Sequence, residues 1–211
     1  SLLNLPVKKW AEFLYSLGKP KKNLIFTVTV NQARMVSDIL NRVKPGLSEW
    51  VCGDTKLVSE EDRLRIGRDF ELGDLPVVVN CGIYSEGYDN PRIEMITMAR
   101  PTKSLTLYVQ QLGRGTRILE GVIDGLKEPS ERLGAIAASS KKSLTVLDLA
   151  GNSGRHNLVT AIDLFAGKIS NDVRKRAEAK SKKSDVPRNI PELIKESEDE
   201  LRMEKRKREA E

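Results

Sequence analysis

The sequence predicts an α/β fold, a parallel sheet flanked by helices, followed by a charged helical C-terminal tail. Three observations carry this. Short apolar, β-branched runs alternate with segments of helical periodicity, and strands separated by helices pair in parallel because the helices form the crossovers. The chain has 211 residues of which 39% are hydrophobic, enough for a packed core and too much for collagen-like or wholly disordered classes. All ten aromatic residues lie between Trp10 and Phe165, so the remainder cannot bury much. The expected organisation is a leading helix in residues 1–22, an α/β domain in 23–166, and a charged helical or partly disordered tail in 167–211.

Val7 to Leu17 carries an amphipathic pattern (Val7, Trp10, Phe13, Leu14, Leu17) that Gly18 and Pro20 stop. Asn23–Val30 reads as a buried strand. Asn31 can cap the next helix, whose stripe is Ala33, Val36, Ile39, Leu40 and Val43, ending before Pro45-Gly46. Glu49–Cys52 is a short strand closing at Gly53-Asp54. Ser59 with Asp62 resembles a capping box for a helix to about Leu72, terminated at Gly73-Asp74. Pro76–Cys81 and Glu94–Met98 are further buried strands, and Ser104 caps a helix to Leu112. Leu144–Leu149 is a strand and Val159–Phe165 a short helix. The tail holds 14 basic and 11 acidic residues from Gly167 onward. Arg174–Lys183 is a basic run, and Pro191–Glu209 has a helical pattern with Leu193, Ile194 and Leu201 on a narrow stripe. A solvated or partly disordered extension and a nucleic-acid- or partner-binding helix both fit it.

The formal charge is +6 and the pI about 9.3. No apolar run approaches the roughly 20 residues that span a bilayer, and no signal-peptide pattern follows Ser1, so no membrane partner is expected. Cys52 and Cys81 lack metal-ligand spacing and read as reduced core thiols of a cytoplasmic or nucleoid-associated protein. No metal site is expected. A first residue of Ser1 rather than Met suggests a processed chain or an excised fragment.

In parallel sheets ligands bind beyond the carboxyl ends of strands, so the loops after Val30, Cys52, Cys81 and Ala99 are the first places to look. Two segments stand out. Asn80-Cys81-Gly82-Ile83-Tyr84-Ser85-Glu86-Gly87-Tyr88-Asp89-Asn90-Pro91 follows a strand. In it, Gly87 lets backbone approach a ligand and Asp89 offers acceptors to a sugar hydroxyl. An ordinary strand-to-strand loop fits equally well. Gln110-Gln111-Leu112-Gly113-Arg114-Gly115-Thr116-Arg117 sets two guanidiniums three positions apart at a helix end, where they can converge on one polyphosphate. Basic residues complementing a helix C-terminus would look the same.

These two segments, in this order, resemble motifs V and VI of superfamily 2 helicases and translocases. Leu24-Ile25-Phe26-Thr27-Val28-Thr29 resembles motif IV. Gly53-Asp54, Arg63, Phe70 and Gly73-Asp74 follow the family's next stretch, so the resemblance spans roughly residues 20–150. It implies the second RecA-like domain of a two-domain, ATP-dependent motor. Ser85-Glu86-Gly87-Tyr88-Asp89 with Gly113-Arg114-Gly115-Thr116-Arg117 is more similar to the DNA-acting branch than to DEAD-box RNA helicases. The latter usually have Thr at Cys81, Arg at Glu86 and His at Gln110. That branch includes repair-type helicases and restriction-enzyme motor subunits, and Leu149–His156 ahead of Asp163-Leu164-Phe165 has its flavour too.

The resemblance implies that Gly87 and Asp89 face the nucleotide ribose. It makes Arg117 the arginine finger, Arg114 a second γ-phosphate contact and Gln110 a sensor near the phosphates. Thr29, Gly53 and Asn80 would meet the nucleic-acid backbone. His156, Trp50 and Tyr88 read as structural. No Gly-x-x-x-x-Gly-Lys-Ser/Thr occurs in the chain: Gly18-Lys19 precedes Pro20 and Gly167-Lys168 precedes Ile169. Asp199-Glu200 lies in the charged tail, away from any strand end. ATP and its Mg²⁺ would therefore depend on a first RecA-like domain, and this polypeptide alone is expected to be inactive. Its partners would be that domain and DNA, with RNA possible. A nucleic-acid-binding scaffold is the non-enzymatic alternative, which retention of both Arg114 and Arg117 disfavours.

Overall fold

The computed structural model describes residues 21–84, 88–102, 104–149, 162, 169–184 and 188–210. Backbone packing divides the chain at residues 151 and 152 into two units. The first contains β1 (Asn23–Phe26), α1 (Val30–Val43), β2 (Ser48–Cys52), α2 (Glu60–Leu72) and β3 (Val77–Cys81). After these come β4 (Met95–Met98), α3 (Leu105–Thr116), α4 (Pro129–Ala138) and β5 (Thr145–Asp148). The five strands form one sheet in the order β2-β3-β1-β4-β5, and every pairing is parallel. The predicted fold class is the observed one.

Strand alternation sorts the core into two layers. Ile25, Val77, Val79, Met95 and Ala99 face Ala33, Val36 and Leu40 of α1, with Leu47 completing the layer. On the same layer Asn23 and Thr97 are fully buried and satisfy each other, Asn23 Nδ2 donating at 3.1 Å and Thr97 Oγ1 at 3.2 Å. The opposite layer holds Leu24, Phe26, Val78, Ile96 and Met98, all at most 1% exposed. Gly115 of α3 sits over Ile96 there.

Several boundaries move from their predicted places. The first strand stops at Phe26, with Thr27 giving its last ladder N–H and its Oγ1 to Asn80 O at 3.0 Å before the helix cap at Thr29. The α1 cap is Thr29 rather than Asn31: Thr29 Oγ1 accepts from Gln32 N–H at 3.1 Å, which starts the helix at Val30. The third helix does not end at Leu112 but continues to Thr116, with Ser104 as its cap as expected. Helix α4 was not anticipated. Its signal is Pro129 in the first turn, where a missing N–H costs nothing. The leading helix and the Val159–Phe165 helix lie outside the described residues, apart from Ile162.

Helix α2 begins at its expected cap. Ser59 Oγ accepts from Asp62 N–H at 3.0 Å and donates to the Asp62 carboxylate at 2.7 Å. Glu60, Glu61 and Asp62 suit the positive end of the helix dipole, and Gly73 closes it at φ +101°. Ser59→Ala should cost about 1 kcal/mol, lowering the melting temperature by roughly 2–4 °C in a chain of this size. Circular dichroism melts measure it, and an unchanged midpoint would mean the cap contributes nothing.

In the second unit, α5 (Asn171–Lys183) and α6 (Ile190–Ala210) pack as a hairpin. Ala177, Leu193 and Ile162 form its small core, with Ile169 and Ile190 against it. Antiparallel pairing follows from the ion pairs: Arg176 meets Glu200 and Glu204, while Lys180 meets Glu196 and Glu200. The charged tail is thus helical from both sides of residues 185–187, and its acidic residues face the basic run. Such solvent-exposed pairs fix register more than they stabilise.

Candidate nucleotide and nucleic-acid site

Two groups of predicted site residues emerge, on different parts of the sheet. Thr29 and Gly53 are exposed and follow the carboxyl ends of β1 and β2. A Cβ on Gly53 would lie 3.4 Å from Ile83, so the loops after β2 and β3 touch. Thr29 is spent as the α1 cap, but its exposure leaves the helix N-terminus open to an anion. Gln32 closes the gap between the ends of β1 and β4, accepting from Val28 N–H at 2.9 Å and donating to Ala99 O at 2.9 Å.

Asn80 behaves differently from its neighbours. It is fully buried, and its Oδ1 accepts from the N–H groups of Ile83 and Tyr84 at 3.2 and 3.1 Å. Its carboxamide therefore shapes the loop from inside. Cys81, half-buried beside Cys52 in the ladder, donates its thiol to Val28 O at 3.6 Å, and desolvation raises its pKa. Cys52 is buried and both thiols are free.

The arginine pair does not sit on the carboxyl edge. Helix α3 leaves that edge and runs back along the sheet, so its last turn lies over Ile96 near the start of β4. There it meets the segment after β3. Arg114 Nη1 donates to Tyr88 O at 2.9 Å, and Arg117 Nη1 forms a 2.6 Å ion pair with Asp89 Oδ2. Arg117 and Asp89 have side chains 50% and 51% exposed, so the pair is open to solvent. Gln110, one turn earlier, is exposed, whereas its neighbour Gln111 is fully buried. Gly87 falls outside the described residues, as does His156.

Aromatic rings anchor the segment that Arg114 and Arg117 grip. Tyr88 stacks on Tyr84 with centroids 4.2 Å apart, and on Phe70 of α2 at 6.4 Å. Burial pushes the Tyr88 phenol up to about 12, so it stays neutral, and Asn90 Nδ2 approaches its oxygen at 3.4 Å. Tyr88 is thus a partly buried ring packed against Tyr84 and Phe70. Trp50 is partly buried beside the Arg34 guanidinium.

One participant was not foreseen. Lys141, between α4 and β5, donates from Nζ to Pro91 O and to Arg117 O, both at 2.6 Å. Desolvation pushes its pKa down to about 8, against the opposing pull of Glu94. Nothing in the local sequence marks this lysine, because its partners are backbone carbonyls far along the chain.

The five-stranded parallel sheet agrees with the family comparison. Residues 7–119 match the model of the helicase conserved C-terminal domain. The chain belongs to this family. Its helicase domain shares 41% identity over 71 residues with IRC3 of Saccharomyces cerevisiae, named as an ATP-dependent helicase, covering 34% of this chain and 10% of that protein. The irc3 protein of Schizosaccharomyces pombe, named as a mitochondrial ATP-dependent helicase, is 34% identical over 104 residues, 49% of this chain and 16% of that one. A 51.5 kDa protein of a Lactococcus phage is 41% identical over 59 residues, 28% of this chain and 13% of that protein. The segments that match span only 10–16% of these relatives' length. In fold it is similar to the C-terminal domain of the DEAD-box protein Dbp5, with a TM-score of 0.50 at 17% identity, over 84% of this chain and 91% of that one.

Proposed function

We propose that this helicase domain is the second RecA-like half of an ATP-dependent DNA helicase or translocase, with Arg117 as its arginine finger. The observation that carries the reading is the convergence of Arg114 and Arg117 on Tyr88 and Asp89. An exposed ion pair is worth about 0–1 kcal/mol, so Arg117 can exchange Asp89 for a polyphosphate at little cost. A freed Asp89 carboxylate can then accept from ribose hydroxyls, and Arg114, which donates to the Tyr88 carbonyl, is the second γ-phosphate contact of this reading. Gln110 is exposed on the same helix end and fits a sensor of the phosphates.

In this reading the phosphate loop and the Mg²⁺ carboxylates come from a first RecA-like domain, since no such loop occurs in these residues. A finger acts on charge that develops at the γ-phosphate, so it requires that partner in place. Thr29 and Gly53 offer hydroxyl and backbone N–H to nucleic-acid phosphates, with Asn80 setting the adjoining loop. The preference for DNA over RNA rests on the motif V and VI residue types. A restriction-enzyme motor subunit, an RNA helicase half and a non-enzymatic scaffold are the competing assignments.

Binding tests the nucleic-acid half directly. Phosphate contacts by a chain of charge +6 should give weak, sequence-tolerant affinity that falls steeply with salt. Fluorescence anisotropy with DNA and RNA oligonucleotides of one sequence, at two salt concentrations, measures it. Salt-independent or strongly sequence-specific binding contradicts the motor reading. The same chain should show no ATP turnover above background, and turnover abolished by Arg117→Ala would overturn the two-domain assignment.

A further inference from the structure

Lys141 lies beyond residues 7–119, the stretch that matches the family model, yet it joins the two halves of the candidate nucleotide site. Its two acceptors belong to different segments. Pro91 is two residues after Asp89, and Arg117 is the residue that ends α3 and carries the guanidinium paired with Asp89. The ammonium therefore closes a ring that runs from Asp89 to Pro91, through Nζ to Arg117 O, and by the Arg117 guanidinium back to Asp89. The last carbonyls of a helix carry partial negative charge and lack partners in the helix, which makes a cation there favourable. Half-burial acts against that cation, as its lowered pKa records. A lysine serving only solubility would extend into water, where neither 2.6 Å contact would form.

We propose that Lys141 is a positioning residue for the arginine finger, fixing the backbone root of Arg117 against the Asp89–Pro91 segment. The inference rests on reading Arg117 as the finger. An arginine side chain is long and flexible, so the reach and direction of its guanidinium depend on where its Cα is held. Misplacement by about 1 Å can lower a rate on the order of 10²-fold. The ring leaves the guanidinium itself exposed, free to trade Asp89 for phosphate while its root stays put.

The test uses Lys141→Met, which keeps the stem and removes the donors, and Lys141→Arg, which restores donors. In the full-length protein carrying this domain, with saturating nucleic acid, Lys141→Met should lower kcat about 10- to 100-fold and change KM for ATP by less than about threefold. Lys141→Arg should recover most of the loss. The double variant with Arg117→Ala should be no slower than Arg117→Ala alone, because a positioning residue has nothing left to position. A multiplied defect, or a change in KM without one in kcat, overturns the proposal. In the chain described here, Lys141→Met should speed hydrogen exchange of the Arg92 amide and of the last-turn α3 amides at residues 113–116, while α1 amides keep their protection. Unchanged exchange at both segments also overturns it. If Arg117→Ala itself leaves turnover intact, the finger reading fails, and the exchange result still reports whether the clamp exists.

Discussion

Arg117→Ala in the full-length motor should lower kcat by about 10³ or more while ATP binding and the fold stay nearly intact. The guanidinium is half-exposed and its ion pair with Asp89 is a surface pair, so its removal costs the folded domain little. Its contribution lies in the transition state, where charge spreads over the γ-phosphate oxygens. Arg117→Lys should recover little, since a compact ammonium cannot reproduce the planar fork of donors. Arg42→Ala, an exposed position in the last turn of α1, is the control and should alter turnover less than about twofold. Steady-state ATPase with saturating DNA, beside thermal melts of each variant, makes the comparison. Equal behaviour of Arg117→Ala and Arg42→Ala would reduce Arg117 to a surface cation.

The elements that periodicity could see were seen. Residues 77–80 and Met95–Met98 are short, mostly apolar runs buried on both faces, as a covered parallel sheet requires. Ser59 and Gly73 marked the ends of α2 through chemistry that acts within four residues. Harder to read were the boundaries set by distant partners. Thr29, not Asn31, caps α1, and the first turn is tied down by Gln32, which accepts from Val28 N–H and donates to Ala99 O, 67 residues away. Lys141 was invisible for the same reason: its partners are carbonyls 50 and 24 residues earlier. Motifs V and VI were legible as residue types in order, whereas the direct grip of Arg114 and Arg117 on residues 88 and 89 required the return of α3 along the sheet.

That return depends on Gly115, and Gly115→Val should be the most damaging single change to the fold of this region. A Cβ at this position would overlap Leu144 and come within 2.9 Å of Ile96 Cγ1. Ile96 is fully buried in the central part of the sheet and has nowhere to go. The helix must lift or the strand must shift, at a cost of about 1–3 kcal/mol for an overpacked site. In a chain of this size that corresponds to roughly 2–12 °C in melting temperature. Lifting the last turn would also carry Arg114 and Arg117 away from Tyr88 and Asp89, so stability and turnover should fall together. Gly113, in the same helix, is the contrast: a Cβ there meets nothing within 4 Å. Gly113→Ala should leave the melting temperature unchanged or raise it, since Ala is favoured over Gly inside a helix by about 0.5–1 kcal/mol. Thermal melts of the two variants, read with ATPase of the full-length protein, decide the point. If Gly115→Val melted with the native chain, α3 would not be seated on β4 as described, and the convergence of the arginines on residues 88 and 89 would lose its structural basis.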